Sequence, residues 1–219
     1  MNIRTMPQRI AVSLVAVVGV AAVVGVFAGV LSMASGFQRT MASSGAEDVA
    51  VVLRAGSDGE LASGLSAEQV QVIESAPGVL RRDGQPVVSA ELYVVVDVEK
   101  KSTGLSANVP LRGIQPSGLD VRDNVEIIEG RMFELGKNEF IVGRGAADQF
   151  KGLEVGNTIR FGLVEWSIVG MFSDGGGVAE SELWSDVRVI QSTYNRGNSF
   201  QSARVRLTSP DAITEHPHD

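Results

Sequence analysis

Gln85-Pro86-Val87-Val88-Ser89-Ala90-Glu91-Leu92-Tyr93-Val94-Val95-Val96-Asp97-Val98-Glu99-Lys100 is dominated by valine and holds no glycine. β-branched and aromatic residues suit a pleated, half-buried surface, so this run reads as one long strand. A Ser/Thr/Gly turn follows, and Asn108 to Ile114 is a second apolar run. Together they predict a long antiparallel hairpin.

Outward from that hairpin, alternation predicts strands at Val49–Arg54, Val125–Ile128, Glu139–Val142, Thr158–Phe161, Glu165–Phe172 and Ala203–Leu207. Ser66-Ala67-Glu68-Gln69 has the form of a capping box, opening a short helix to about Ser75 that Pro77-Gly78 stops. Further helices fit Gly145–Lys151 and Ser185–Tyr194. Many strands with scattered short helices, without regular alternation, give an α+β class with a mixed, mainly antiparallel sheet.

The N-terminal part differs in kind. From Ile10 to Met33 run 24 residues without a charge. As a helix they reach about 36 Å, against a bilayer core of about 30 Å. They exceed the apolar stretch of roughly 7 to 15 residues in a secretory signal, so a retained membrane helix is expected over 10–33. Arg4 and Arg9 precede it, which places residues 1–9 in the cytoplasm and sends the body across. The expected order is then a linker over 34–46, a folded domain over 47–210 and a tail over 211–219. Gly25 and Gly29 form a small-xxx-small pair through which the helix could pack on another.

Charge and composition exclude several functions. Residues 1–46 hold Arg4, Arg9 and Arg39 and no acid, so the rest of the chain carries 16 basic against 26 acidic residues, a charge of −10. Nucleic-acid binding needs basic patches to displace counterions, and none is present. Cysteine is absent, and the two histidines, His216 and His218, flank Pro217 at the end of the chain. Thiolate and Ser-His catalysis are therefore not expected. Gly130 to Gly136-Lys137-Asn138 has neither the spacing nor the Ser/Thr of a phosphate-binding loop. No cofactor or metal is implied. Glu180, Glu182 and Asp186 follow the run Asp174-Gly175-Gly176-Gly177, but their spacing does not match a calcium loop. They read as solvated acids near the next helix, with Trp184 packing that segment on the sheet.

Several short strings carry a resemblance. They are Pro110-Leu111-Arg112-Gly113-Ile114-Gln115-Pro116, Glu129-Gly130-Arg131-Met132-Phe133, and Phe140-Ile141-Val142-Gly143-Arg144-Gly145-Ala146-Ala147. Val155-Gly156-Asn157-Thr158-Ile159, Ser167-Ile168-Val169-Gly170-Met171-Phe172 and Glu180-Ser181-Glu182-Leu183-Trp184-Ser185-Asp186 follow. In this order, after an N-terminal membrane helix, they resemble the extracytoplasmic core domain of MacB/FtsX-type ABC transporter permeases.

The resemblance implies a permease subunit in the inner membrane, its body periplasmic or extracellular. It would partner a separate cytoplasmic ABC ATPase, pair as a homodimer or with a second permease, touch membrane lipid and meet a periplasmic adaptor. It would not be an enzyme. The resemblance gives Gly113, Pro116, Gly130, Arg131, Phe133, Gly143, Gly156, Gly170 and Trp184 as structural positions. Permeases of this topology carry three more membrane helices, and nothing after Asp174 offers the roughly 18 consecutive apolar residues of a span. The sequence is thus expected to be a permease truncated before its C-terminal membrane region, or a single-pass relative. The alternative function is a membrane-anchored binding or adaptor module without transport of its own.

Overall fold

The structure, a computed structural model, describes residues 19–28, 46–210 and 212. The chain divides into two units, residues 1–42 and 43–219. In the first, residues 19–28 are helical, and Val20, Val23, Val24, Val26 and Phe27 are exposed. Among the described residues no helix is long and apolar enough to cross a membrane. The rest of the expected 10–33 span, including Gly29, lies outside the described residues, as do most of 34–46 and of 211–219.

The second unit is built on a mixed sheet. Its strands are β1 (Val49–Val52), β2 (Arg81–Arg82), β3 (Gln85–Pro86), β4 (Val88–Glu99), β5 (Ser106–Ile114), β6 (Glu126–Gly130), β7 (Glu139–Gly143), β8 (Thr158–Phe161), β9 (Val164–Ser173), β10 (Leu183–Asp186) and β11 (Ser202–Arg206). The main sheet runs β1-β11-β4-β5-β10-β7-β9-β6, with β8 also on β9; β2 and β3 form a separate ribbon. The β4–β5 hairpin expected from the valine run is present, in register from Leu92 opposite Gly113 to Glu99 opposite Ser106. Two pairings, β10 with β5 and β7 with β9, are parallel.

Three short helices pack on one face: α1 (Ala67–Ser75), α2 (Arg144–Gln149) and α3 (Val187–Thr193). The capping box that begins α1 is formed on both sides: Gln69 N–H donates to Ser66 Oγ and Ser66 N–H to Gln69 Oε1. Period-2 alternation sends Val88, Ala90, Leu92, Val94, Val96 and Val98 of β4 into the core under these helices. The opposite face carries Ser89, Glu91 and Tyr93.

One boundary is corrected. The helix expected over Ser185–Tyr194 begins at Val187, because Leu183-Trp184-Ser185-Asp186 is β10, wedged between β5 and β7. Trp184 therefore lies in the sheet.

Candidate functional site

The face of the sheet away from the helices has two halves. Over β5, β7, β9 and β10 it is apolar, with Ile114, Phe133, Ile141, Phe172 and Trp184 in one cluster. Phe172 and Trp184 stack at 4.1 Å between centroids. Over β4, β5 and β11 it is charged, and the charges are buried.

Arg112, in the middle of β5, is the hub. Its side chain is only 4% exposed. It makes a two-point contact with Glu182 (2.7 and 2.8 Å), another with Glu60 (both 2.9 Å) and a single bond to Glu91 (2.9 Å). The planar guanidinium supplies five donors in a fixed fork, which is why one arginine can hold three carboxylates. The Tyr93 ring lies 5.0 Å from its Cζ. Glu91 also faces Arg122 at 2.8 Å and Arg204 at 3.6 Å. Arg122 in turn sits 4.7 Å above the Trp184 ring, whose indole N–H donates to Glu182 Oε2 at 2.8 Å. Ser202 Oγ donates to Glu60 at 2.7 Å.

Three arginines thus meet three glutamates from β4, β5, β11, the residue before β10, the loop between β5 and β6 and the turn Glu60–Ala62. Burial alone would raise the Glu91 carboxyl, but Arg122 and Arg112 overcome it and hold Glu91 at about 2. Arg112 is held well above its ordinary value against its own burial, chiefly by Glu182. Such a network ties strands distant in sequence into one charged, hydrogen-bonded plate. Among the described residues there is no cluster of His, Cys, Asp and Glu arranged to hold a metal ion.

The acids read as solvated are buried, and this is a second correction. Glu182 is bound by Arg112. Glu180 accepts N–H groups from Asp174 (2.8 Å) and Gly176 (2.9 Å) and the Ser173 hydroxyl (2.7 Å), so it folds the glycine loop around itself. Asp186 accepts from Arg188 N at 2.9 Å, beginning α3, and from Gly136 N at 2.8 Å. Each carboxylate replaces water with protein donors, which makes burial affordable.

The motif glycines sit at close approaches. A Cβ on Gly113 would stand 2.7 Å from Val187 Cα, so α3 lies directly on β5 there. On Gly143 it would meet Glu180 O at 2.2 Å. Gly130 and Gly170 are cross-strand partners between β6 and β9. Gly156 takes φ +92° in the turn before β8. Arg131 holds Glu139 through two bonds of 2.8 Å and, as the leading influence, draws that carboxyl down to about 2. Phe133 is in the apolar cluster with Trp184, and Pro116 opens a 3-10 turn after Gln115, whose side chain accepts from Ala90 N at 2.8 Å. Gly25 is in the exposed helical segment, with nothing among the described residues within 4 Å of its would-be Cβ.

Sequence reasoning named Arg112 only as part of a string, read Glu180 and Glu182 as solvated acids, and assigned nothing to Glu60, Glu91, Arg122 or Arg204. A signal was present: Glu91 and Arg112 each interrupt a run that is otherwise apolar, and a charge inside a central strand has to find a partner.

Comparison with known proteins places this fold. The extracellular domain of the noncanonic ABC-type transporter YknZ from Gram-positive bacteria superposes with a TM-score of 0.54 at 17% identity, covering 75% of this chain and 85% of that one. The periplasmic region of MacB from Actinobacillus actinomycetemcomitans gives 0.55 at 14% identity, covering 76% and 77%. No curated protein matches by sequence. The sequence profile of the MacB-like periplasmic core domain matches residues 13–216, nearly the whole chain. The chain belongs to the MacB-like periplasmic core domain family, the extracytoplasmic domain of ABC-type transporter permeases.

Proposed function

We propose that this chain is the extracytoplasmic part of an ABC transporter permease and passes motion generated by a separate cytoplasmic ATPase to the outside of the inner membrane, for export of a substrate or for mechanical transmission. The observation that carries the reading is the buried plate around Arg112. A body that relays a displacement has to move as a unit, and a network joining β4, β5, β10 and β11 resists shear between them. The uncharged run 10–33, with exposed apolar side chains along 19–28, supports residues 10–33 as the membrane helix. In this reading residues 1–9 are cytoplasmic, 34–46 a linker, 47–210 the periplasmic core and 211–219 a tail. Gly25 and Gly29 would pack the helix on a neighbour, such as a second permease copy. Lipid, a homodimer partner and a periplasmic adaptor complete the proposed surroundings.

The experiment is membrane topology together with coupling. In spheroplasts, externally added protease should cleave the folded body, and the chain should co-isolate with an ABC-type ATPase whose inactivation stops ATP-dependent transport. A chain recovered wholly in the aqueous fraction and protected from external protease would refute the reading.

A further inference from the structure

Strand β1 lies at the end of the main sheet, and among the described residues no strand pairs with its outer side. The ladder fixes which groups face outward. Leu207 N–H donates to Asp48 O, so the next hydrogen-bonded pairs on β11 are Ala50 with Val205 and Val52 with Ala203. Val49 and Val51 alternate with these. The Val49 carbonyl and both backbone groups of Val51 therefore point away from β11, toward the open edge. An edge of this kind is a template for another strand.

Among the described residues both faces beside the edge are left open. On the helix side an apolar groove of about 270 Å³ opens between β1, β11 and the end of α1, lined by Ala50, Val52, Ile73, Ala76, Val205 and Leu207 among others. On the opposite side Val51 is 44% exposed and stands directly opposite Arg204. Arg204 is the most loosely held of the three arginines in the charge network. Among the described residues its buried Nε has no hydrogen-bond partner, and it faces Glu91 only at 3.6 Å, a carboxylate already held by Arg112 and Arg122. Burial and the neighbouring Arg122 lower its pKa, against the opposing pull of Glu91 and Glu60.

These three features fit one occupant. An extended segment paired on β1 would place alternate side chains on opposite faces. Those beside Ala50 and Val52 would enter the apolar groove. The one beside Val51 would lie about 10 Å across the sheet from Arg204, within combined reach of an arginine and a glutamate side chain. We infer that the β1 edge is a docking site for an extended strand of a partner protein in which apolar residues alternate with acidic ones, the backbone pairing with Val51, the apolar side chains filling the groove and a carboxylate engaging Arg204. This is recognition by strand addition, with main-chain bonds supplying affinity and alternate side chains the selectivity. It does not depend on the transport reading.

The test uses the full chain, isotope-labelled in detergent micelles, titrated with a short synthetic peptide of alternating valine and glutamate. The expected result is saturable binding with the Val51 amide shifted and protected from exchange. An alternating valine and lysine peptide is expected not to bind. Arg204→Gln should weaken the glutamate peptide about tenfold, the worth of one charge-assisted pair. Ala50→Arg, which fills the mouth of the groove, is the second variant and should give a comparable loss with Arg204 intact. Equal binding of the lysine peptide, an unprotected Val51 amide at saturation, or undiminished affinity in both variants would overturn the inference. So would protection of Val51 by concentration-dependent self-association without peptide, because the edge would then belong to a second copy.

Discussion

Gly130 and Gly170 stand opposite each other on β6 and β9, and backbone closes on both. A Cβ on Gly170 would lie 2.2 Å from Arg131 O, and one on Gly130 would lie 2.3 Å from Val169 O at a φ of +68°. Carbonyl oxygens of a paired sheet cannot yield as a flexible side chain can. Gly170→Ala and Gly130→Ala should each cost more than about 2 kcal/mol, Gly130 adding backbone strain to the clash. Gly136→Ala is the control: it shares the positive φ, with nothing among the described residues within 4 Å, and should cost only about 1–2 kcal/mol. Urea midpoints of the three variants check the order.

Removing Arg112 leaves Glu60, Glu91 and Glu182 facing one another with less compensation. Breaking a buried ion pair from one side typically costs about 3–5 kcal/mol, because the remaining charge stays out of water. Arg112→Met is expected in that range. Replacing Glu182 by Gln alongside it should recover part of the loss, since one of the stranded charges goes with it. Recovery in a double-mutant cycle of urea unfolding is the measurement, and a purely additive result would show that the two residues do not act together.

What could be read in the sequence was local, and what could not was long-range. Ser66 and Gln69 are three residues apart, so their reciprocal bonds were legible as a pattern and the structure has them. The valine run and Asn108–Ile114 are separated by one turn, and their pairing followed from it. Arg112 and Glu182 are 70 residues apart and Ser202 and Glu60 142, distances at which no spacing rule operates. Leu183–Asp186 was missed as a strand for a different reason: all four residues are buried, so the inside-outside alternation that marks a strand is absent, and a helix begins at the next residue. The acids Glu180, Glu182 and Asp186 looked like surface residues because the groups that bury them are backbone N–H donors and a distant arginine, neither of which a pattern of side chains displays. Those come from Arg112, from the glycine loop and from Gly136.

The network should make stability depend on acid. Glu91 titrates at about 2 in the folded protein against an ordinary 4.5. Its folded value is depressed, so its contribution is complete above about pH 4.5 and is lost as the pH falls toward 2. A shift of this size corresponds to about 3 kcal/mol. Glu139, held down by Arg131, acts in the same direction. Urea midpoints should hold steady near neutrality and fall steeply below pH 4.5. Glu91→Gln should be less stable at pH 7 and show a shallower fall, while keeping the part that belongs to Glu139.

Two helix caps offer a comparison in which burial is the variable. Ser66 is exposed, and its loss in Ser66→Ala opens one bond from Gln69 N to water, which costs about 1 kcal/mol. Asp186 is 4% exposed and serves two donors from different parts of the chain, Arg188 N in α3 and Gly136 N in the turn before β7. Asp186→Ala strands both where water has little access, so its cost should exceed that of Ser66→Ala by about 1–3 kcal/mol. Asp186→Asn keeps an acceptor for one donor and should fall between them. Hydrogen exchange separates the mechanisms: Asp186→Ala should speed exchange at Gly136 as well as in the first turn of α3, whereas Ser66→Ala should change only the start of α1. Unchanged exchange at Gly136 would mean that Asp186 acts as a helix cap alone and does not tie the turn to the sheet.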